Sequence, residues 1–198
     1  MLKRLFDVLF SVFGLIITSP VLAVVALAIK ISSPGPVFFR GERIGKKGKP
    51  FRIFKFRTMV ENAEELGGPS TASDDPRLTK IGLFLKKYQL DELPQLINVL
   101  KGEMSFVGPR PEVPFYINMM TEKERNTILS IKPGITDLAS LQNFHEGEVL
   151  KGSPDPEKTY MEKIRPEKIK LQMEYVKNRS FLLDLKIIVK TILKVFYG

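Results

Sequence analysis

The chain predicts an α+β fold, mostly α, with a small β-hairpin and an N-terminal membrane segment. Three observations carry this. Val8 to Ile29 is a 22-residue run without a charge, and a stretch of 18 or more apolar residues reads as a membrane helix. Phe51 to Arg57 alternates apolar and basic residues, the period of a half-buried strand. From Arg77 onward apolar residues recur at helical spacing, with no βαβ alternation, which argues against a Rossmann or other parallel sheet.

The membrane run carries Ser19-Pro20 at its centre. Proline removes a donor and clashes with the preceding turn, so a break or kink is expected there. Each arm is then about 11 residues, or roughly 16 Å of helix, half of a ~30 Å hydrocarbon core. Lys3 and Arg4 precede the run, and Lys30, Arg40, Arg43, Lys46, Lys47 and Lys49 follow it. Positive flanks on both sides favour both ends facing the cytoplasm. Residues 1–33 are read as a re-entrant helix-break-helix hairpin, with a Pro-kinked spanning helix as the other geometry. The run is longer than the ~7–15-residue core of a signal peptide.

Ser32 to Pro36 is a turn. Residues 37–40 and 51–57 are read as the two strands of a hairpin, with an irregularity near Ile53-Phe54 where the alternation changes phase. Met59 to Leu66 is a short acidic helix, and Arg77 to Tyr88 a second. A third runs from Glu92 to Lys101, stopped by Gly102. Ser105 to Pro111 is a rigid loop, 114–130 helical, and 134–158 loop with short pieces. Helices follow at 159–177 and 181–197. The last has Lys186, Lys190 and Lys194 beside an apolar side, which suits an interfacial amphipathic helix or a core helix with a solvated lysine stripe. Residues 34–198 are enough for one compact domain.

Composition excludes several chemistries. There is no cysteine, so no disulfide or thiolate metal site. The lone His145 rules out multi-histidine zinc sites and, in a polar stretch, reads as a surface residue. The net charge is +9, and +7 of it lies between Arg40 and Arg57. Such a patch seeks phosphate. Nucleic acid is not expected as a partner: the patch adjoins a membrane segment, and no helix-turn-helix, zinc-finger or RNP pattern is present.

Leu90-Asp91-Glu92-Leu93-Pro94 sets two carboxylates before a proline that suits a first helical turn, so Asp91 is expected to cap the helix that follows. An ionised, positioned carboxylate can also attack phosphorus or hold Mg²⁺. Gly108-Pro109-Arg110-Pro111 fixes an arginine between two prolines, which suits bidentate phosphate binding or a plain tight turn. Asp74-Asp75, before Pro76, is read as another helix cap. Gly41 to Lys47 lacks Walker spacing.

In this order, Ser19-Pro20, Phe54-Lys55-Phe56-Arg57-Thr58-Met59, the block from Asp91-Glu92-Leu93-Pro94 to Lys101-Gly102, Gly108-Pro109-Arg110-Pro111 and Pro133-Gly134-Ile135-Thr136 resemble the bacterial sugar transferase family, the monotopic polyprenyl-phosphate phosphoglycosyl transferases. The resemblance covers nearly the whole chain and matches the minimal catalytic domain. It implies a Mg²⁺-dependent enzyme at the cytoplasmic face of the bacterial inner membrane. The enzyme transfers a sugar-1-phosphate from a UDP-sugar to undecaprenyl phosphate and releases UMP. By that resemblance Asp91 is the nucleophile of a covalent phosphosugar intermediate. Glu92 assists with metal or acceptor, so Asp91 and Glu92 are the metal candidates. Lys55, Arg57 and Arg110 bind phosphate, and Ser19 and Pro20 form the membrane turn. Membrane phospholipid is a further partner, and pairing of two copies is left open. The chain departs from the family at Asp137 to Phe144 and at Gln172, where an aspartate is common; donor sugar choice is expected in these regions. The competing reading is a non-catalytic, membrane-bound scaffold that binds anionic lipid.

Overall fold

The computed structural model describes residues 2–197. It is mostly helical, with three two-stranded sheets. Helix α1, Leu2–Ser32, runs through the Ser19-Pro20 step, where the sequence predicts a break. The reason is local. Pro20 has no N–H for the Ile16 carbonyl, and Ser19 Oγ donates to that oxygen at 2.8 Å instead. Thr18 Oγ likewise donates to Gly14 O at 2.7 Å. The Ser19 hydroxyl satisfies the carbonyl that proline frees, so helical bonding continues. Leu5, Leu9, Phe13, Ile16, Val24 and Ile31 point outward and are exposed.

Both ends of α1 are tied to the body. Near the start, Lys3 Nζ donates to Val107 O at 2.9 Å and Arg4 to Val99 O at 2.6 Å. The buried Asp7 carboxylate accepts from Ser105 Oγ at 3.1 Å and from Phe106 N at 3.2 Å. Near the end, Val25 and Ile29 pack with Phe56 and Leu85.

The expected hairpin forms as two short ladders. Strand β1 (Phe38–Phe39) pairs with β4 (Lys55–Phe56), and β2 (Glu42–Ile44) with β3 (Pro50–Arg52), both antiparallel. The interruption falls at Ile53-Phe54, as the alternation indicates. Buried Asn98 fills it: Phe54 N donates to Asn98 Oδ1 at 2.8 Å, and Asn98 Nδ2 donates to Arg52 O at 3.0 Å. Asn98 lies on α4 (Gln95–Lys101), so one amide fixes the hairpin to that helix.

Helix α2 is Ala63–Leu66 and α3 is Lys80–Lys87. The cap of α3 is Thr79, which accepts from Gly82 N at 3.0 Å. Asp74 and Asp75 do not cap it. Asp75 is paired with Arg77 at 2.7 Å, and Asp74 accepts from Gly152 N at 3.0 Å. Helix α4 ends at Gly102 with φ 84°, the left-handed stop that glycine allows.

Ser105–Val107 is not loop but strand β5, parallel to β6 (Gly134–Thr136). The expectation of no parallel pairing is therefore corrected. Beyond this pair the backbones almost touch: a Cβ on Gly134 would lie 2.1 Å from Gly108 N. The 114–130 stretch divides into α5 (Pro114–Asn118) and α6 (Glu122–Ile128), the latter begun by a Thr121–Glu124 capping box. Helices α7 (Leu138–Gln142), α8 (Glu146–Leu150) and α9 (Pro156–Thr159) lead through a π turn, Tyr160–Ile164, into α10 (Arg165–Asn178). Helix α11 (Phe181–Tyr197) buries Asp184 and Ile187 and leaves Leu182, Val189 and Leu193 exposed beside Lys186 and Lys190.

Candidate active site

Gln89 adopts φ 53°, left-handed for a non-glycine residue, and the chain then makes a single 3₁₀ turn, Leu90–Glu92. Helix α4 begins only after Pro94, and no side chain caps it. Asp91 is thus not the expected N-cap. The left-handed residue and the tight turn re-aim it into a cavity of about 2020 Å³. That is roomier than the ~300–1,000 Å³ of one small-ligand pocket, so two substrates have space.

Asp91 is 6% exposed, and among the described residues no hydrogen-bond donor reaches its carboxylate. Burial pushes its pKa up, against the pull of Lys55. Its neighbour is treated differently. Glu92 accepts from Lys55 Nζ at 2.7 Å and from Arg110 NH1 at 3.0 Å, and Arg110 NH2 also donates to it. Burial alone would raise its pKa, but the Arg110 and Lys55 charges and hydrogen bonds outweigh that and hold Glu92 well below the usual carboxylate range. One carboxylate is locked and the other is left open.

The open one faces several cations. Lys55, Lys86 and Arg110 act on Asp91, and Arg43 acts on Glu92. All four line the cavity. Burial lowers the Lys86 pKa to about 8, partly offset by Asp91. Other acids share this field, Glu112 and Glu64 at Arg43 and Glu146 and Asp137 at Arg110. The backbone of Arg110 is itself fixed. Gly108 N donates to Thr136 O at 3.1 Å, Gly134 N to Pro109 O at 3.0 Å, and Arg110 N to Asp137 Oδ2 at 3.2 Å.

The structure therefore brings Lys55, Asp91, Glu92 and Arg110 together. Arg57 also lines the cavity, but its terminal nitrogens go elsewhere: NH1 donates to Pro34 O and NH2 to Ser33 O at 3.0 Å, holding the end of α1. Ser19 and Pro20 are exposed on α1, next to Thr18 and Val21 at the apolar end of the cavity. Gln172 is buried in α10 and does not line the cavity. His145 is exposed.

Sequence reasoning did not single out Arg43 or Lys86, which look like any other members of basic runs. Nor did it find Asn98 or Asp137 as supports. Asp137, fully buried, was legible only as a departure from a pattern.

On the chemistry of the donors, a divalent cation fits Asp91, whose oxygens meet no donor among the described residues, better than Glu92, whose oxygens are taken by two cations. Among the described residues no three His, Cys, Asp or Glu gather as a self-sufficient metal cage. Asp91 is therefore the residue that would hold such an ion.

The family model described as "Bacterial sugar transferase" matches residues 1–198. The UDP-glucose:undecaprenyl-phosphate glucose-1-phosphate transferase of Escherichia coli (strain K12) is 38% identical over 198 residues, 99% of this chain and 40% of that protein. A putative undecaprenyl-phosphate N-acetylgalactosaminyl 1-phosphate transferase of Bacillus subtilis (strain 168) is 46% identical over 135 residues, 68% of this chain and 71% of that protein. The UDP-N-acetylgalactosamine-undecaprenyl-phosphate N-acetylgalactosaminephosphotransferase of Aeromonas hydrophila is 35% identical over 199 residues, 100% of this chain and 44% of that protein. The chain thus spans less than half the length of the first and third.

Proposed function

The chain belongs to the bacterial sugar transferase family, and we propose that it transfers a sugar-1-phosphate from a UDP-sugar to undecaprenyl phosphate, releasing UMP. The observation that carries this reading is the contrast between Glu92, locked by two cations, and Asp91, an unpartnered carboxylate at the wall of a cationic cavity.

In the first step an Asp91 oxygen attacks the sugar-linked phosphorus. A P–O bond to Asp91 forms, the P–O bond to UMP breaks, and UMP leaves with the electron pair. In the second step an oxygen of the lipid phosphate attacks the same phosphorus and Asp91 leaves as carboxylate. Lys55 and Arg110, aligned by Glu92, neutralise the diphosphate oxygens, and Arg43 and Lys86 add to the same field. Burial keeps Asp91 poorly solvated, so it is reactive once an anion-bearing ligand and its counter-ion arrive. Mg²⁺, when bound, would be held by Asp91 and would supply further charge neutralisation.

The lipid acceptor needs an apolar path to Asp91. The same cavity continues between α1 and α11, where Phe10, Gly14, Val21, Ile188, Ile192 and Val195 line it. That continuity supports a membrane-embedded acceptor meeting a water-borne donor at one carboxylate. Membrane placement follows the same logic. Both ends of α1 are bound to one body, by Lys3, Arg4 and Asp7 at one end and by Arg57 and Ile29 at the other. A single body cannot lie on both sides of a bilayer. This supports a re-entrant α1 and a cytoplasmic body, with the exposed stripe of α11 lying in the interface.

The test is UMP release from UDP-sugars by protein in nanodiscs with Mg²⁺ and undecaprenyl phosphate. Sustained release is expected only with both substrates, with at most one UMP per enzyme when undecaprenyl phosphate is left out, and Asp91→Asn should abolish both without loss of thermal stability. Full turnover in that variant would overturn the assignment.

A further inference from the structure

Acids other than Asp91 and Glu92 sit in the field of Arg43 and Arg110, and each competes with a phosphate for those guanidiniums. Glu112 and Glu64 act on Arg43, and Glu146 and Asp137 act on Arg110. Glu64 is exposed, so water and salt screen it. Asp137 is saturated by backbone: one oxygen accepts from Arg110 N at 3.2 Å and the other from Ser140 N at 2.6 Å. Glu112 and Glu146 have neither outlet.

Both end on one lysine. Lys168 Nζ lies 3.1 Å from Glu112 Oε1 and 3.7 Å from Glu146 Oε2, and it donates to the Tyr160 hydroxyl at 3.0 Å. Lys168 is buried on α10. Burial alone would lower its pKa, but Glu112 and Glu146 outweigh that and hold it well above the ordinary lysine value. A buried ammonium is costly unless it is paired, and so is a buried carboxylate; here they are kept as a set. Tyr160, packed in the core with Tyr116, Leu150 and Ile164, fixes the ammonium in place.

The set stands beside the two arginines. Only Pro111 separates Glu112 from Arg110, and the Glu112 carbonyl accepts from Ile44 N at 3.0 Å, which sets its backbone against the strand that carries Arg43. Glu146 and Lys168 line the same cavity as Arg43 and Arg110. Arg110 already carries Glu92. A second carboxylate drawn onto Arg110, and one onto Arg43, would leave neither guanidinium open to a phosphate.

We infer that Lys168 is a positioning residue of the transfer reaction: it holds the Glu112 and Glu146 carboxylates off Arg43 and Arg110 and so leaves those guanidiniums open to the donor's diphosphate. Lys168 itself touches no reacting atom. The inference rests on the transferase reading for the identity of the diphosphate.

The experiment titrates UDP calorimetrically into wild type, Lys168→Met, Glu146→Gln and the Lys168→Met/Glu146→Gln double variant, all in nanodiscs, and follows donor KM in parallel. Lys168→Met releases both carboxylates and should weaken UDP, and raise donor KM, roughly 10-fold, the order of one uncompensated charge beside a binding cation. The double variant removes one of the released charges and should return to within roughly 3-fold of wild type. Glu112 stays unpaired there, so Tm stays below that of wild type, and recovered affinity is not recovered folding. A folded Lys168→Met that binds UDP as wild type does, or a double variant as weak as Lys168→Met, overturns the inference; the second result would mark the loss as structural. Glu146→Gln decides the matter if Lys168→Met does not fold. With one carboxylate gone Lys168 serves Glu112 alone, and UDP should bind roughly 2- to 5-fold tighter; unchanged or weaker binding overturns the inference. UDP binding needs no turnover. A wild type that binds UDP but releases UMP from no UDP-sugar therefore removes the transferase reading alone, whereas a wild type that binds no UDP overturns the inference itself.

Discussion

Replacing Glu92 by glutamine separates the cationic site from the anion that organises it. Glu92, Lys55 and Arg110 side chains are 14%, 19% and 29% exposed, so the pairs are largely desolvated. Removing one partner of a buried pair costs about 3–5 kcal/mol, because the other charge stays buried and unpaired. Here two cations lose their partner, but the glutamine carbonyl and cavity water recover part of the loss. About 2–3 kcal/mol should remain, or a fall in Tm of roughly 5–10 °C at this chain length. The sign with ligand is the informative part. Lys55 and Arg110, freed from Glu92, should seek a phosphate, so UMP should raise the Tm of Glu92→Gln by more than that of wild type. The assay is thermal unfolding in nanodiscs with EDTA present, with and without UMP. A Tm within about 1 °C of wild type, together with no larger UMP shift in the variant, would show that Glu92 does not organise these cations.

Other expectations concern neighbouring parts. Lys86 titrates at about 8 in the free protein; it is charged below that pH and neutral above. Donor kcat/KM should therefore fall as pH rises through 8, and Lys86→Arg should remove that limb; an unshifted limb assigns it to another group. Asn98→Ala removes the acceptor of the Phe54 N–H, while the Arg52 carbonyl keeps Arg40 NH2 at 3.3 Å, and should cost about 1–3 kcal/mol, read as a lowered denaturant midpoint; a neutral result would mean that the hairpin does not depend on α4. Cysteines placed at position 3 and in the 46–49 loop should react with a membrane-impermeant reagent from the same side of the bilayer. Opposite-side labelling would establish a spanning helix instead.

Legibility in the sequence followed the range of the interaction. The hairpin and its defect at Ile53-Phe54 were readable because alternation is local, whereas the amide that repairs the defect comes from Asn98, 44 positions from Phe54. The parallel β5–β6 pair escaped because each strand is three residues long and its partner lies beyond two helices. The cap assigned to Asp91 failed for a related reason. Leu93-Pro94 pushes the helix start downstream, and the left-handed Gln89, invisible in composition, turns the acid inward. Pro20 was read as a break because the rescue by Ser19 Oγ depends on a rotamer. Asp91, Glu92 and Arg110 were named from motif chemistry and Lys55 from the family resemblance, and the four do converge, while Arg43 and Lys86 became visible only through the cavity that they line. Arg57, named with them, spends its guanidinium on Ser33 and Pro34, a use that no local pattern announces.

The decisive measurement is intact-mass analysis of the protein held with UDP-sugar and Mg²⁺ but without lipid acceptor. A nucleophilic Asp91 requires a gain of one sugar-1-phosphate less one water, mapped to the peptide bearing residue 91, absent in Asp91→Asn, and discharged when undecaprenyl phosphate is added. A protein that turns over donor and acceptor yet never carries that mass, or carries it on another residue, contradicts the mechanism.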